Sequence, residues 1–236
     1  MSEPPRKRMV RPPGGGAPRG KAQRLATAKS HTASSQAWLT RQLNDPFVAE
    51  AKVRGYRSRA AFKLIEIDDR LRLIRRGGRV IDLGCAPGGW LQVLAERKAG
   101  QVIGIDLLPV EPLAGATVLQ GDFTDPGCEE RLLALAGGPV DLVLSDMAPN
   151  TTGHRQTDHA RIMALVEAAG EFAQRALKPG GAFVAKAFQG GETAPLIAEL
   201  KRAFAEVRII KPKASRPESS EVYLVATGLR AAAPHD

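Results

Sequence analysis

The chain has 236 residues, of which 43% are hydrophobic. That is enough for one large domain with a sizeable core, and no apolar run approaches the roughly 20 residues that cross a bilayer. Its two cysteines, Cys85 and Cys128, exclude a disulfide framework and a cysteine-based metal cluster, and suit a reducing cytoplasm. The formal charge of +9 is lopsided: residues 1–60 carry 13 Lys and Arg against three acids, while the remainder carries 21 against 22. A basic arm on a nearly neutral domain points to a polyanionic partner, nucleic acid first.

Taken in order, residues 1–34 are dominated by Pro, Gly, Arg and Lys at their start. They read as a disordered basic arm that touches RNA, and they lack the apolar core of a secretory signal. A folded domain is expected over 35–230, followed by a short tail at 231–236. The segment 35–57 begins helix-like and then mixes Lys52, Arg54 and Arg57, with Arg59 just beyond, among Phe47 and Tyr56. Cations interleaved with aromatics suit phosphates and unstacked bases. Residues 58–74, SRAAFKLIEIDDRLRLI, read as a helix capped by Ser58, with Phe62, Ile65, Leu71 and Ile74 on an apolar side. Lys63 falls on a different face from Ile65 and, taken alone, reads as a solvent-facing lysine.

The stretch RVIDLGCAPGGW at 79–90 is a short buried strand that runs through Asp82 into a glycine loop, and LQVLAERKAG continues it as a helix. Strand, glycine loop and helix open a nucleotide-binding α/β sheet. The loop excludes two common ligands. A P-loop places Lys after its last glycine, but Trp90 follows Gly89. A dinucleotide fingerprint reads G-x-G-x-x-G, but residues 84–89 read GCAPGG. A nucleoside without a pyrophosphate fits better, and S-adenosylmethionine is the common one.

A second strand at 101–105 ends at Asp106, the position that holds ribose hydroxyls in nucleoside-binding sheets. A third ends near Asp122 and Phe123, an acid for an adenine amino group and a ring to pack on it. After a helix near 128–136, a fourth strand at 140–144 leads to Asp146 at the ligand crevice. The following SDMAPN departs from the Asn/Asp-Pro-Pro-Tyr loop of enzymes that methylate exocyclic base amines, since Met147 and Ala148 interrupt it. TTGHRQTDH at 151–159 reads as a polar substrate lid, and His154 and His159 have no evident catalytic partner. A long helix at 158–177 stops at Lys178-Pro179-Gly180-Gly181. The strand GAFVAKAFQG carries Lys186 inside an apolar run, which is costly unless the lysine is paired or functional. A helix, a sixth strand, a basic loop and a last strand at 221–227 complete the chain, with Glu221 at the start of that strand. The expectation is an α/β domain of seven strands, mostly parallel, with helices on both faces and the last strand antiparallel.

Seven segments in order resemble the FtsJ/RrmJ ribose 2'-O-methyltransferases: SRAAFKL at 58–64, DLGCAPGGW at 82–90, DLLP at 106–109, QGDF at 120–123, SDMAPN at 145–150, VAKAFQG at 184–190 and SEVYLVAT at 220–227. The resemblance implies a Rossmann-like class I methyltransferase that uses S-adenosylmethionine. It places the family's catalytic tetrad on Lys63, Asp146, Lys186 and Glu221, and donor contacts on Gly88, Trp90, Asp106, Asp122 and Asp146, with no metal. The implied substrate is a uridine ribose in 23S ribosomal RNA of the large subunit, the implied partner that RNA, and the implied compartment the cytoplasm. A tRNA ribose methyltransferase of the same family and a non-catalytic RNA-binding protein that senses the methyl donor are the alternatives. A ribose hydroxyl is a poor nucleophile, and Lys186 is the group expected to take its proton or steady its alkoxide.

Overall fold

The computed structural model describes residues 43–149, 154–190 and 193–231; the basic arm, residues 35–42 and all of the short tail but its first residue lie outside them. Helix α1 is Pro46–Arg54. Asp45 caps it by accepting the Phe47 N–H at 3.0 Å, Pro46 occupies the first turn, and Gly55 closes it in the left-handed conformation. Helix α2, Ala60–Leu71, has the apolar stripe expected of it, but its N-cap position is Arg59, without a side-chain cap bond. Ser58 is therefore not the cap. Its hydroxyl is buried and has no hydrogen-bond partner among the described residues.

The sheet then begins with β1, Val80–Leu83, buried at every position, as a central parallel strand must be when helices cover both faces. It is followed by α3 (Gly89–Glu96), β2 (Val102–Asp106), β3 (Ala116–Gln120), α4 (Cys128–Ala136), β4 (Val140–Ser145), α5 (Arg155–Ala176), β5 (Leu177–Phe188), α6 (Thr193–Ala203), β6 (Phe204–Ile210) and β7 (Glu221–Leu229). The strand order is β3-β2-β1-β4-β5-β7-β6. The first five strands are parallel along the chain of pairings, and β7 runs antiparallel to both neighbours. The seven strands, their mostly parallel sense and the reversed last strand match the reading of the sequence.

Several boundaries differ: the helix read over 58–74 ends at Leu71, where Arg72 turns left-handed, and the long helix read over 158–177 begins at Arg155. Lys178–Gly181 belongs to the first part of β5, because Leu177 already pairs with Val140, and the register shifts between Val140 and Leu142 to absorb the Pro-Gly-Gly stretch. Two apolar layers flank the sheet. Leu132 of α4, Phe172 of α5 and Leu200 of α6 belong to one, and Phe62 of α2 and Leu91 of α3 to the other. Cys85 and Cys128 are free and buried, one in each layer. Cys85 fits because Gly104 across from it has no side chain: a Cβ there would lie 2.7 Å from the Cys85 sulfur.

Candidate active site

Reversal of the sheet between β1 and β4 opens a crevice at the carboxyl ends of the strands, where ligands bind in this architecture. A cavity of about 410 Å³ lies there, and Gly84, Ala86, Asp106, Asp122, Phe123 and Asp146 are among its walls. Gly84 is obligatory in shape. Its φ is +78°, and a Cβ would stand 2.8 Å from the Met147 backbone, so the strand end of β4 closes directly over the loop. Asp106 stitches the floor together: one carboxylate oxygen accepts the Ala86 N–H at 2.8 Å and the other the Leu108 N–H at 2.9 Å. Asp122 accepts the Thr124 hydroxyl at 2.7 Å and its N–H at 2.8 Å. Those two bonds hold its carboxyl below the usual range. Phe123 reaches the cavity while packing edge-on against Phe172, with centroids 5.5 Å apart.

Gly88 and Trp90 do not stand among the residues lining this cavity. Gly88 has a φ of +105° and sits against Arg57. Trp90 is buried and donates its indole N–H to the Ala60 carbonyl at 2.8 Å, pinning α3 to the start of α2. Of the five residues expected to touch a methyl donor, three line the cavity and two brace it.

Beside the cavity, four elements converge. Lys63, read alone as solvent-facing, is buried: α2 turns it under β7, where its ammonium meets both carboxylate oxygens of Glu221 at 2.8 and 2.9 Å. Lys186 on β5 is also buried, and its Nζ donates to the Asp146 backbone carbonyl at 2.6 Å and lies 3.1 Å from the Asp146 carboxylate. Burial alone would raise the Asp146 carboxyl. The charges of Lys186 and Lys63 and hydrogen bonds from Tyr223 and Lys186 outweigh it, so the group is held below the usual range. Glu221 is further fixed by the Ser215 hydroxyl at 2.7 Å, and its own N–H donates to the Ser219 hydroxyl at 3.1 Å. The four residues dispersed in the sequence thus form two ion pairs, Lys63–Glu221 and Lys186–Asp146.

Three participants were missed in the sequence. Tyr223 is fully buried; its hydroxyl donates to Asp146 at 2.7 Å and accepts from Lys63 at 3.2 Å. The signal was present: it stands two residues after Glu221 on a strand, so it shares that face. Ser215, in an irregular loop, gave no periodic signal. Asp82 is wholly buried and neither carboxyl oxygen has a partner among the described residues. Burial, then repulsion from Asp146 and Asp106, pushes its carboxyl well above the usual range.

The segment expected to meet phosphates and bases is mostly committed to the fold. Arg57 donates to the Glu111 and Pro112 carbonyls at 2.7 and 3.0 Å, and Arg59 bonds Asp45 and the Ala214 carbonyl. Arg54 pairs with Glu50 at 2.6 Å and lies over the Phe62 ring, while the Tyr56 hydroxyl donates to Glu96 at 2.7 Å. Of the polar stretch read as a lid, 151–153 lie outside the described residues, and most of the rest is not a loop: 155–159 form the first turns of α5, with His154 at its N-cap position. His159 packs near the Phe188 ring, with centroids 6.5 Å apart.

Residues 56–229 match the family described as FtsJ-like methyltransferase. The chain belongs to this family. Relatives called ribosomal RNA large subunit methyltransferase E share 61% identity with it in Caulobacter sp. (strain K31), over 94% of this chain and 99% of the relative. In Granulibacter bethesdensis the identity is again 61%, over 94% of this chain and 95% of the relative. A solved structure of a Plasmodium falciparum protein assigned as a ribosomal RNA methyltransferase superposes with a TM-score of 0.67 at 30% identity, covering 75% of this chain and all of that one. FtsJ-like membership makes the chain a methyltransferase, an enzyme class that draws on a methyl donor.

Among the described residues the cavity walls include three carboxylates, Asp106, Asp122 and Asp146, and no Lys or Arg, which suits a ligand that carries positive rather than phosphate charge. Outside the cavity lining, near the same loop, the Asp82 carboxyl and Ser58 hydroxyl have no partner among the described residues, and Ser58 Oγ lies 2.4 Å from where a Gly89 Cβ would stand.

Proposed function

We propose that the chain transfers a methyl group from S-adenosylmethionine to the 2'-hydroxyl of a uridine ribose in 23S ribosomal RNA of the large subunit. The observation that carries this reading is Lys186, a buried lysine tied to both the carboxylate and the carbonyl of Asp146, next to a cavity walled by carboxylates. S-adenosylmethionine, when bound, supplies a methyl group on a positively charged sulfur. Asp106, Asp122 and Asp146 would hold that ligand, with Gly88 and Trp90 bracing the loop beneath it.

The residues around Lys186 do the rest. Its ammonium has three donors, two of which are directed at Asp146; the third remains for a ribose oxygen. In its neutral form Lys186 would receive the ribose proton; as the ammonium, its third donor would steady the alkoxide as it forms. Asp146 sets its direction. Lys63, anchored by Glu221, supplies a second positive charge to the same pocket. Most of the acceleration would come from fixing the hydroxyl in line with the methyl group.

The names of the relatives support a large-subunit ribosomal RNA substrate. The basic arm, residues 1–34, is proposed as an RNA contact flanking a catalytic domain over 35–230. Among the described residues no helix is long and apolar enough to cross a membrane, and cytoplasmic action is part of the proposal. The test offers methyl-labelled S-adenosylmethionine with large ribosomal subunits, free ribosomal RNA and tRNA, over a salt series, with and without residues 1–34. Label on a uridine ribose of the large-subunit RNA is expected, with a flatter salt dependence for the shortened chain. Label on tRNA alone, on a base, or on none of the three would overturn the assignment; an unchanged salt slope would remove the arm from the interface.

A further inference from the structure

Two ion pairs make up the tetrad, and a single atom joins them. Lys63–Glu221 spans α2 and β7; Lys186–Asp146 spans β5 and the end of β4. The Tyr223 hydroxyl accepts from Lys63 at 3.2 Å and donates to Asp146 at 2.7 Å, closing the sequence Glu221, Lys63, Tyr223, Asp146, Lys186. Asp146 Oδ1 is the shared acceptor of Tyr223 and Lys186. A phenol buried without partners is costly, and here both its donor and its acceptor are used within the site.

The fold fixes that hydroxyl unusually well. Tyr223 lies in β7, hydrogen-bonded between β5 and β6, opposite Lys186 on one side and Ile210 on the other. Its ring is fully buried, tilted 45° against Trp90 at 5.8 Å, with the Lys63 ammonium 5.6 Å from its centroid. The Trp90 indole is itself tied to the first residue of α2. The ring is thus clamped between the glycine-loop helix and the helix that carries Lys63, and only its hydroxyl reaches the reacting groups.

We propose that Tyr223 is a positioning residue of the methyl transfer: its hydroxyl locks the Asp146 carboxylate in the orientation that presents Lys186, and couples Lys63 to that carboxylate. This rests on the reading of the site given above. The titratable groups facing Asp146 are Lys186 from β5, Lys63 from α2 and the buried Asp82 from β1, and those acting on Tyr223 are Asp146, Glu221 from β7 and Arg59 from the start of α2. The tyrosine itself is a neutral donor, since burial and the neighbouring Asp146 and Glu221 charges push its hydroxyl well above the usual range. Its hydrogen bond is one of the contacts that hold the Asp146 carboxyl low.

Tyr223→Phe keeps the ring and removes the bridge. In single-turnover reactions with large subunits the variant is expected to be slower by roughly tenfold, the scale of one lost hydrogen bond to a charged group. Its affinity for S-adenosylmethionine and its apparent affinity for RNA should stay at wild-type values, and the acid limb of its rate profile should move to higher pH. Carbon-13 NMR titration of the Asp146 carboxyl, which needs no turnover, should show the same upward displacement in the variant. An Asp146 titration and acid limb identical to wild type would overturn the proposal. So would a rate loss matched by an equal loss of donor affinity, because a packing role alone predicts that. If the wild-type chain methylates none of the RNAs, the functional assignment fails while the Asp146 titration still decides whether Tyr223 couples the two pairs.

Discussion

Asp82 and Asp146 are both acids at or just beyond the ends of adjacent strands, yet the structure drives them in opposite directions. Asp146 is buried among two lysines and a phenol and is held low; Asp82 is buried with no partner among the described residues, and burial and two neighbouring acids hold it high. The sign of the linkage follows. Asp146 contributes stability above its unfolded value that is lost as pH falls through its lowered folded value. Asp82, with a raised folded value, favours the fold at low pH, and that contribution is lost as pH rises above about 4, where the unfolded chain gives up this proton. The melting temperature of Asp82→Asn should therefore gain on wild type as pH is raised from about 5 to about 8. A gap between the two proteins that stays constant over that range would mean Asp82 titrates as an ordinary solvated acid. None of this was legible in the sequence, where Asp82 is only the acid that ends a short apolar run and Lys63 looks like a surface residue. Burial of a polar group depends on which elements cross over it, and α2 under β7 is a long-range contact that no local period encodes.

The glycine loop between β1 and α3 shows how much an element can owe to one residue. Gly84 combines a φ of +78° with a Cβ position 2.8 Å from the Met147 backbone, whereas Gly115 has a φ of +84° with nothing within 4 Å. Gly115→Ala should cost only the left-handed backbone, about 1 kcal/mol. Gly84→Ala adds displacement of the β4 end and should cost roughly 3 kcal/mol or more in chemical denaturation. It should also weaken binding of S-adenosylmethionine, because Asp146 and Met147 both border the cavity. Equal losses at the two positions would show that the close approach does not matter. The loop's role was readable from its glycines, but the identity of the critical one was not. The resemblance drew attention to Gly88 and Trp90, while the loop's close approach to another backbone is at Gly84, where a strand end far along the chain closes over it; at Gly88 and Gly89 a Cβ would meet the side chains of Arg57 and Ser58. The same lesson applies to the aromatic and basic stretch around α1. Its composition suits RNA, but Glu50, Asp45 and Glu96 lie within reach of its cations and its tyrosine, and local pairing takes up most of them.

At the scale of the whole molecule, seven strands and their order gather the candidate groups at one end of the strands, the carboxyl end of the parallel ones, with α2 bringing Lys63 to them. Periodicity and glycine spacing made the alternation of strands and helices legible, because buried parallel strands are short apolar runs and the helices between them keep a 3.6-residue stripe. Sequence order alone could not say that β7 inserts between β5 and β6, and that insertion is what sets Tyr223 opposite Lys186 and brings Glu221 over Lys63. The account stands or falls on Lys186 as the group that acts on the ribose hydroxyl. The most direct measurement is single-turnover methyl transfer by Lys186→Ala on large ribosomal subunits, with S-adenosylmethionine binding measured by calorimetry on the same protein. The account predicts a loss of transfer on the order of a thousandfold with donor affinity nearly intact. A variant that keeps substantial turnover, or that loses transfer only because it no longer binds the donor, would contradict it.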